Sequence, residues 1–377
     1  MRVMISFQPN NLLNKKLIEL ENAFVLTYAK IQNFDEATKK AIHRYARISS
    51  IGSSTRIENA LLTDSEIEWL DTVLSTDGKT TSFSQNKRMI ENKLSKERER
   101  SIEEVTGCRN MMFLIYNNYE EMFPLKQSDI RALHFELMKI YQGATLIGEY
   151  KNQPNFVIET NNATKNTRTV FKTADAGPMT SSSMTELVNW YNDSVNENEN
   201  TFLIAGEFTY RFLAIHPFQD GNGRLGRGLY LLNLLHSPNL AIKAVAPYLS
   251  IDREIEKRKE EYYFTLNRCS NGQFKQDPKE YRIEYFCAFM IKILSAALSN
   301  IDLYYKKYLD KKSLSETASN VLLCFNEYPE IRLSNKQIVE MTKLPRRTVA
   351  NALKTLKDKD MIQSYGEGAG TRYQITF

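Results

Sequence analysis

The chain has 377 residues and a net charge of only +5, and 42% of its residues are hydrophobic, which is enough for the cores of two or three domains. Its four cysteines contain no C-x-x-C pair, which argues against a zinc site or a secreted disulfide framework and indicates a reducing compartment. No apolar stretch approaches the roughly 20 residues of a membrane span, and residues 1–12 lack a signal-peptide pattern, so we expect a soluble, cytoplasmic protein that does not contact a membrane.

The N-terminal part, residues 1–103, is predicted to be helical. It contains the segment STRIEN at residues 54–59, in which Glu58 follows Ser54 by four residues. Such a short pattern arises by chance in many proteins, and Glu58 could equally be an ordinary carboxylate at a helix start, where the helix dipole favours negative charge. A polar stretch at residues 75–86 is predicted as a surface loop ahead of a charged helix over residues 87–104.

A short strand is predicted near residue 157. The aromatic and β-branched residues Phe156, Val157 and Ile158 follow Asn155 and the segment GEYK at residues 148–151. These residues leave two interpretations open: the strand is a buried edge, or it is an edge to which a partner chain adds a strand.

A pair of helices is predicted around residue 218. Ile204, Phe208 and Phe212 recur at steps of four, which is the spacing of a helix rather than a strand. That helix should end near His216, because Pro217 restricts the preceding residue to extended geometry. A second apolar run begins at residue 229, so residues 220–223 are predicted to form a tight turn that enters a new helix.

The turn and its flanks contain the groups that bind and activate a nucleoside polyphosphate. A helix N-terminus offers unpaired N–H groups, and the glycines let phosphate oxygens approach. Arg224 and Arg227 share one helix face, where two guanidinium groups can hold adjacent phosphates. His216 is a candidate general base, and Asp220 is a hard oxygen ligand suited to Mg²⁺.

This run of residues also matches two simpler interpretations. Residues 221–226 (GNGRLG) match the dinucleotide pattern G-x-G-x-x-G, but that fingerprint requires a preceding strand, whereas a helix and a proline precede it here. Taken singly, a histidine beside a proline is usually a packed or surface residue, and helix arginines are usually solvated. Their joint occurrence within twelve residues indicates a phosphate site.

The run HPFQDGNGRLGR at residues 216–227 resembles the signature of the Fic family, His-Pro-Phe-x-Asp/Glu-Gly-Asn-Gly-Arg-x-x-Arg, at every fixed position. The resemblance implies a mainly α fold with a Fic-type helical core and a short β-hairpin flap. It also implies transfer of AMP from ATP to a hydroxyl side chain of a target protein. His216 would deprotonate the target hydroxyl, Asp220 would hold Mg²⁺, and Phe218 would anchor the loop. The phosphates would be bound by Gly221, Asn222, Gly223, Arg224 and Arg227.

The resemblance extends to segments outside the run. Ser54, Glu58 and Asn59 match the family's inhibitory motif Ser/Thr-x-x-x-Glu-Gly/Asn, which implies that Glu58 occupies Arg227 and denies it to the γ-phosphate. Residues 155–158 correspond to the flap that pairs with the target, although Lys151 stands where the family usually has Arg.

Aromatic residues after the run correspond to the family segment that lines the adenosine pocket. Tyr262 and Tyr263 would contribute rings on which a base stacks, or they simply pack the helix on which they lie. Ser270 stands where relatives often have Asn, so the identity of the base is less constrained than the phosphates.

The C-terminal residues 333–377 resemble a winged helix. Helices are predicted over residues 335–341 and 346–357, joined by a turn, and a strand, a Gly-rich wing and a return strand follow. From residue 305 onward there are thirteen Lys and Arg against eight Asp and Glu, a surplus equal to the net charge of the whole chain. Such a module binds either nucleic acid or another protein chain. The candidate nucleic-acid contacts are Arg346, Arg347, Lys354 and Arg372.

The resulting prediction is a three-part chain: residues 1–103 with the inhibitory motif, a Fic core over residues 104–300, and a winged helix over residues 301–377. The predicted function is self-inhibited protein adenylylation with ATP and Mg²⁺, and a homodimer is one candidate assembly. Two alternatives stay open. The Fic core could use another donor or remove AMP, or the chain could be a transcription regulator whose Fic core senses nucleotide.

Overall fold

The structure is a computed structural model that describes residues 5–76, 79–80, 83, 86, 90, 99–160, 167–197 and 200–376. It divides into two compact units, unit 1 (Met1–Ala60 and Glu103–Ile301) and unit 2 (Leu61–Ile102 and Asp302–Phe377). The domain boundaries predicted above stay a prediction. Residues 75–86, predicted as a loop, contain two short antiparallel strands, Ser75–Thr76 and Lys79–Thr80, so the prediction is wrong there. Residues 99–104 of the predicted charged helix are helical, and most other residues of the two segments lie outside the described residues.

The chain is mainly helical with a few short strands, which confirms the predicted fold class. In chain order the helices are α1 (Asn11–Gln32), α2 (Glu36–Ile57), α3 (Asp64–Val73), α4 (Glu99–Asn118), α5 (Gln127–Met138), α6 (Pro178–Asn196), α7 (Thr201–Ile215), α8 (Asn222–Leu235), α9 (Leu240–Val245), α10 (Ile251–Glu256), α11 (Lys259–Ser270), α12 (Glu284–Lys312), α13 (Glu316–Glu327), α14 (Asn335–Thr342) and α15 (Arg346–Asp358). The strands are β1 (Ser75–Thr76), β2 (Lys79–Thr80), β3 (Phe156–Thr160), β4 (Thr167–Lys172), β5 (Leu333–Ser334), β6 (Ile362–Tyr365) and β7 (Arg372–Ile375).

The centre of unit 1 is the packed pair α7 and α8. Asn200 begins α7, since its side-chain oxygen accepts from the N–H groups of Phe202 and Leu203. Every residue of the helix except Leu213 is buried, and its two charged residues, Glu207 and Arg211, form an ion pair with each other. α6 packs on α7, α2 packs on α10, and α1 packs on α9. The predicted helix pair is therefore confirmed, and its connecting turn is fixed by a rigid core.

One helix of the described residues, α12, is long and apolar enough to cross a membrane by length and composition, contrary to our expectation that no stretch approaches that length. Lys292 interrupts the apolar run of this helix, so the sequence contains no uninterrupted apolar stretch of that length there. However, 56% of its most apolar window is buried inside the protein, which is usual for a core helix. A single helix of this kind is weak grounds for a membrane span.

A hairpin precedes α6. Strands β3 and β4 pair antiparallel, with a register shift between Val157 and Ile158. Phe156 is 46% exposed and Val157 is half-buried, whereas the side chain of Ile158 lies outside the described residues. Among the strands that the structure describes, β4 alone pairs with β3. The interpretation of a buried edge is therefore wrong for Phe156.

Unit 2 contains a second core built from α13, α14, α15 and a three-stranded sheet of order β5-β7-β6. Lys343, in the left-handed conformation with φ 57°, ends α14 and begins the turn into α15. β6 and β7 form a hairpin across a Gly-rich loop. Both helices and the hairpin lie where the sequence predicts them; the assignment to the winged-helix class stays a prediction.

Candidate active site

The turn between α7 and α8 is held by its own side chains. His216 has a left-handed conformation (φ 53°, ψ 59°) rather than the predicted extended one, because it caps α7 and donates its N–H to Phe212 O (2.9 Å). The Asn222 side chain donates to Phe218 O (2.7 Å) and accepts from Phe218 N (2.9 Å). The buried Asn222 side chain thus shapes the loop, and its backbone N–H is the group at the start of α8 that can meet a phosphate.

Phe218 anchors this turn, as the resemblance implied, and it does so on a histidine that the sequence analysis did not assign. The Phe218 ring is fully buried and stacks on the His134 ring of α5, with centroids 3.8 Å apart and planes 8° apart. His134 Nδ1 accepts from Gly148 N (2.9 Å), so its proton is on Nε2, which donates to Asp220 O (3.0 Å). His134 therefore packs against the Phe218 ring of the turn and holds the backbone carbonyl of Asp220 in place.

His216 has the opposite tautomer. Its Nδ1 lies 3.2 Å from Leu213 O, and because a carbonyl only accepts, Nδ1 must carry the proton. The lone pair is then on Nε2. Burial lowers the pKa of His216 to about 4, with a further lowering by the Lys151 ammonium. The ring is consequently neutral near pH 7 and able to accept a proton.

Asp220 and Arg224 lie at the mouth of the turn. The Asp220 side chain is 52% exposed, and its Oδ1 lies 3.6 Å from Arg224 Nη2. Arg224 is buried, and its Nε has no hydrogen-bond partner in the described structure. A buried guanidinium N–H without an acceptor is costly, so this position suits an anionic ligand. Gly221, with φ 79°, lets the chain pass within contact of Met138.

Arg227 is held on every side by residues distant in sequence. Its Nε donates to Ser54 Oγ (3.0 Å), and its Nη2 donates to Ser54 O (2.8 Å) and to Glu58 Oε1 (3.0 Å). Asp252 of α10 adds a second carboxylate, with Oδ1 3.1 Å from Nε. Burial alone would lower the pKa of Arg227, but Glu58, with Tyr262 and Asp252, raises it above its ordinary value. The sequence-predicted pair of Glu58 and Arg227 is therefore in direct contact.

Glu58 approaches Arg227 across Gly223. A Cβ on Gly223 would overlap Glu58 Oε1 and would lie 3.3 Å from Arg227 Nη1. The missing side chain of Gly223 is therefore what admits the carboxylate to the N-terminus of α8. The same opening would admit a phosphate oxygen.

Glu58 lies at the C-cap of α2 and not at a helix start, so the interpretation as an ordinary helix-start carboxylate is wrong. A helix C-terminus disfavours negative charge, and Arg227 compensates for it. Asn59 follows in a left-handed conformation (φ 71°), and its side chain accepts from Lys259 Nζ (3.2 Å) rather than meeting Arg227. Asn59 thus fixes the direction of the chain that presents Glu58.

Lys151 is buried beneath the turn, with only 1% of its surface exposed. Its Nζ donates to Ile215 O (3.1 Å), Asn155 Oδ1 (2.8 Å) and Thr173 Oγ1 (2.9 Å), and its backbone N donates to Pro217 O (2.8 Å). Burial lowers its pKa to about 8. Lys151 therefore ties the end of α7 to both ends of the hairpin.

Asn155, grouped with the flap in the sequence prediction, lies just before β3 and faces inward. Its Nδ2 donates to Phe218 O (2.7 Å) and His216 O (3.3 Å). Of the predicted flap residues whose side chains the structure describes, Phe156 and Val157 lie on β3 itself. The hairpin is thus anchored to the turn through Asn155, whereas its strand edge is left for other contacts.

The two tyrosines of α11 differ. Tyr262 is buried, and burial raises the pKa of its hydroxyl to about 12, whereas the nearby Arg227 guanidinium lowers it. Tyr263 is 39% exposed, with its ring centroid 5.3 Å from that of Tyr262. Tyr262 thus packs the helix beside Arg227, and Tyr263 is the ring that a base could reach. Ser270 is buried at the end of the same helix.

The remaining predicted contacts lie in unit 2, where Arg346, Arg347, Lys354 and Arg372 are all exposed. The sequence analysis missed Asp252 and His134 as parts of the site. Asp252 has no motif around it, and only the tertiary packing of α10 on α2 brings it to Arg227. The position of His134 on a helix with an apolar face, ahead of the GEYK segment, could have indicated a structural role. Its stacking on Phe218 could not be predicted, because the two residues are distant in sequence.

Comparison with known proteins agrees with this geometry. Residues 124–234, just under a third of the chain, match the model of the Fic/DOC family, and the match includes the whole turn. A Fic family protein from Desulfovibrio desulfuricans G20 has 20% identity and a TM-score of 0.55 over 99% of this chain and 98% of that chain. A Fic domain containing signaling protein from Bacteroides thetaiotaomicron VPI-5482 has 21% identity and a TM-score of 0.57 over 78% of this chain and 97% of that chain.

A fragment of Fic-1 from C. elegans is similar over 79% of this chain and 74% of that chain, with 14% identity and a TM-score of 0.55. At these identities the structural likeness shows the fold, and the likeness to the Fic/DOC family rests on the matched segment. Residues 124–234 of this chain are similar to the Fic/DOC family domain.

Proposed function

We propose that this protein is an adenylyltransferase that transfers AMP from ATP to a hydroxyl side chain of a target protein, and that Glu58 holds it in an inhibited state. Fic family domains generally transfer a nucleotide monophosphate to proteins. The observation that supports the proposal best is the set of groups gathered at the N-terminus of α8. Arg224 and Arg227 are both buried there, and Arg224 Nε has no hydrogen-bond partner in the described structure. His216, at the opposite end of the same turn, is neutral near pH 7.

The chemistry assigns one step to His216. Its Nε2 lone pair accepts the proton of the target hydroxyl while the hydroxyl oxygen forms a bond to the α-phosphorus. The bond between the α-phosphorus and the bridging oxygen breaks, and pyrophosphate leaves with that oxygen. Arg224, Arg227 and the first N–H groups of α8 bind the phosphate oxygens on which negative charge develops. Neutrality of His216 near pH 7 makes the proton transfer feasible.

The residues present fit a bound Mg²⁺. Asp220 offers an exposed hard carboxylate at the mouth of the turn, and the described residues include no group of three or more His, Cys, Asp or Glu that could hold a metal ion by itself. This agrees with Mg²⁺ bound through one carboxylate and the phosphates of a substrate. Bound there, the ion would neutralise phosphate charge.

Glu58 would inhibit by competing for Arg227. The guanidinium can satisfy either the carboxylate, at 3.0 Å, or a phosphate of the nucleotide. With Arg227 taken, the remaining contacts can still hold ATP, but with the α-phosphorus displaced from His216. The inhibited protein would therefore bind nucleotide and turn it over slowly.

The test is the intact mass of wild type, Glu58→Gly and Glu58→Gly/His216→Ala after incubation with ATP and Mg²⁺. We expect the mass of one or more AMP groups on Glu58→Gly, little on wild type, and none on the double variant. Equal modification of wild type and Glu58→Gly would contradict the inhibitory role. Modification that survives loss of His216 would contradict its role as the base.

The same assay separates the alternatives. Parallel incubations with GTP, CTP and UTP identify the donor, since Tyr263 and Ser270 constrain the base little. Binding of ATP by Glu58→Gly, measured by calorimetry, without transfer to itself or to proteins of a cell extract would instead favour a nucleotide-sensing regulator.

A further inference from the structure

Unit 2 presents one helix outward. In α15 the residues Val349, Leu353 and Leu356 are buried in the core of the unit, together with Ile338 of the preceding α14. The opposite face is formed by Arg347, Ala350, Asn351 and Lys354, which recur at steps of three, four and seven and are all exposed. α14 and α15 are joined by a tight turn at Lys343, which is the layout of a helix-turn-helix.

The exposed face has the side chains that read a nucleic acid. Arg347 and Lys354 are donors for guanine edges and phosphates, and Asn351 can bond both N6 and N7 on the major-groove edge of an adenine. Between them Ala350 is small, so the helix backbone can come close to a groove floor. From Met341 to Lys357 the chain has five Lys and Arg and no Asp or Glu. The face is therefore positive without any intervening acidic residue.

The basic side chains of this surface are not paired with acidic residues in the described structure. Arg346, Arg347 and Lys354 make no ion pair or hydrogen bond there, and Arg372 reaches only the carbonyls of Gly370 and Thr371. By contrast, Lys359 of the same unit pairs with Asp310 at 2.9 Å. Unpaired cations gathered on one helix face leave their charge available to a polyanion.

The hairpin adds a second basic site beside the helix. Arg372 lies at the start of β7, next to the Gly-rich loop, and Arg332 stacks its guanidinium 3.8 Å from the ring of Tyr365 on β6. A helix that enters a groove and a hairpin that follows it contact a duplex at two points, one at base edges and one at the backbone.

We propose that unit 2 binds double-stranded DNA, with α15 in the major groove and the hairpin on the adjoining backbone. The major groove, about 12 Å wide, admits an α-helix. Arg347, Asn351 and Lys354 face the bases, and Arg346 and Arg372 contact phosphates. The proposal rests on unit 2 alone and does not depend on the transfer activity of unit 1.

The experiment uses the full chain and a fluorescein-labelled, mixed-sequence duplex of about 20 base pairs, roughly two helical turns. Anisotropy titrations between about 50 and 200 mM KCl give the affinity and its salt dependence. We expect binding that weakens steeply with salt. Arg347→Ala/Lys354→Ala should weaken it about tenfold or more. Lys15→Ala/Lys16→Ala, which removes the same charge from the exposed side of α1, should leave it unchanged.

A substitution that should increase the affinity for DNA tests the contact between the hairpin and the DNA backbone. Glu367 is the acidic residue in the exposed loop between β6 and β7, so Glu367→Lys should tighten binding and steepen the salt dependence. Glu316→Lys, an exposed substitution at the start of α13, is the matched control and should have a smaller effect.

Three results would overturn the proposal. One is the absence of binding at the lowest salt concentration. Another is equal loss of affinity in Arg347→Ala/Lys354→Ala and Lys15→Ala/Lys16→Ala. The third is equal or tighter binding of poly-glutamate or single-stranded RNA of the same length, which would assign the surface to an acidic protein or to RNA.

Discussion

The carboxylate of Glu58 occupies the space in which a methyl group on Gly223 would lie. This makes the two residues thermodynamically coupled. Gly223→Ala in the wild type must displace Glu58 from Arg227, whereas in Glu58→Ala the new methyl group meets no carboxylate, and alanine favours the helix by up to about 1 kcal/mol. We expect Gly223→Ala to destabilise the wild type and to be neutral or stabilising in Glu58→Ala.

The measurement is urea unfolding of the wild type, both single variants and the double variant. A coupling free energy of about 0.5–3 kcal/mol is expected for residues in contact. If Gly223→Ala had the same effect in both backgrounds, Glu58 would not lie over Gly223 in solution.

Lys151 supports the turn between α7 and α8 from outside it. Lys151→Met keeps the buried length but leaves Ile215 O, Asn155 and Thr173 without their donor. We expect transfer by a Glu58→Gly protein to fall by about tenfold to a hundredfold, because small displacements of reacting groups have effects of that size. The KM for ATP should change little, since the phosphate contacts lie on α8.

Lys151→Arg is the matched variant, because arginine offers more donors and is the residue usual in the family. It should retain most of the activity. A rise in KM with unchanged kcat in Lys151→Met would show that Lys151 acts on nucleotide binding and not on the position of His216.

At the scale of elements, the end of α2 determines where Glu58 points. Asn59 is left-handed, a conformation that costs most residues other than glycine about 1 kcal/mol or more. Asn59→Gly should therefore keep both the stability and the proposed inhibition. Asn59→Ala should lower the free energy of unfolding by about 1 kcal/mol and raise self-modification. Equal activation by both variants would assign the role of Asn59 to its bond with Lys259.

The helices flanking the turn could be predicted from sequence because each depends on local signals, namely the spacing of Ile204, Phe208 and Phe212 and the glycines before α8. The conformation of His216 could not, because the αL cap of α7 overrode the usual effect of Pro217 on its neighbour. The pair of Glu58 and Arg227 came from motif resemblance. Asp252 and the bonds of Lys151 depend on packing between distant segments, which no local pattern reports.

At the scale of the whole molecule, burial lowers the pKa of all four histidines, His43, His134, His216 and His236, to about 4. The unfolded chain binds these protons near pH 6.5, so below that pH it holds more protons than the folded chain. Stability is therefore fully present above about pH 7 and is lost as the pH falls toward 4, with unfolding taking up as many as about four protons per molecule.

Urea unfolding at a series of pH values between 8 and 5 measures this proton uptake. His43 lies apart from the turn, with its ring edge-on to Tyr116, so His43→Phe should reduce the uptake by about one proton and leave nucleotide binding intact. Unfolding free energies that stay constant over this pH range would show that the folded structure does not lower the pKa values of these histidines.

The tautomers of these rings have a spectroscopic consequence. His134 and His236 both donate from Nε2, to Asp220 O and Tyr119 O, whereas His216 donates from Nδ1. The nitrogen chemical shifts of an imidazole differ between tautomers, so in a His43→Phe protein labelled only at histidine, the signal of His216 stands apart from those of His134 and His236. Nucleotide addition, release of Glu58 from Arg227 or docking of a second protein could then be followed at His216, the ring that we propose accepts the proton.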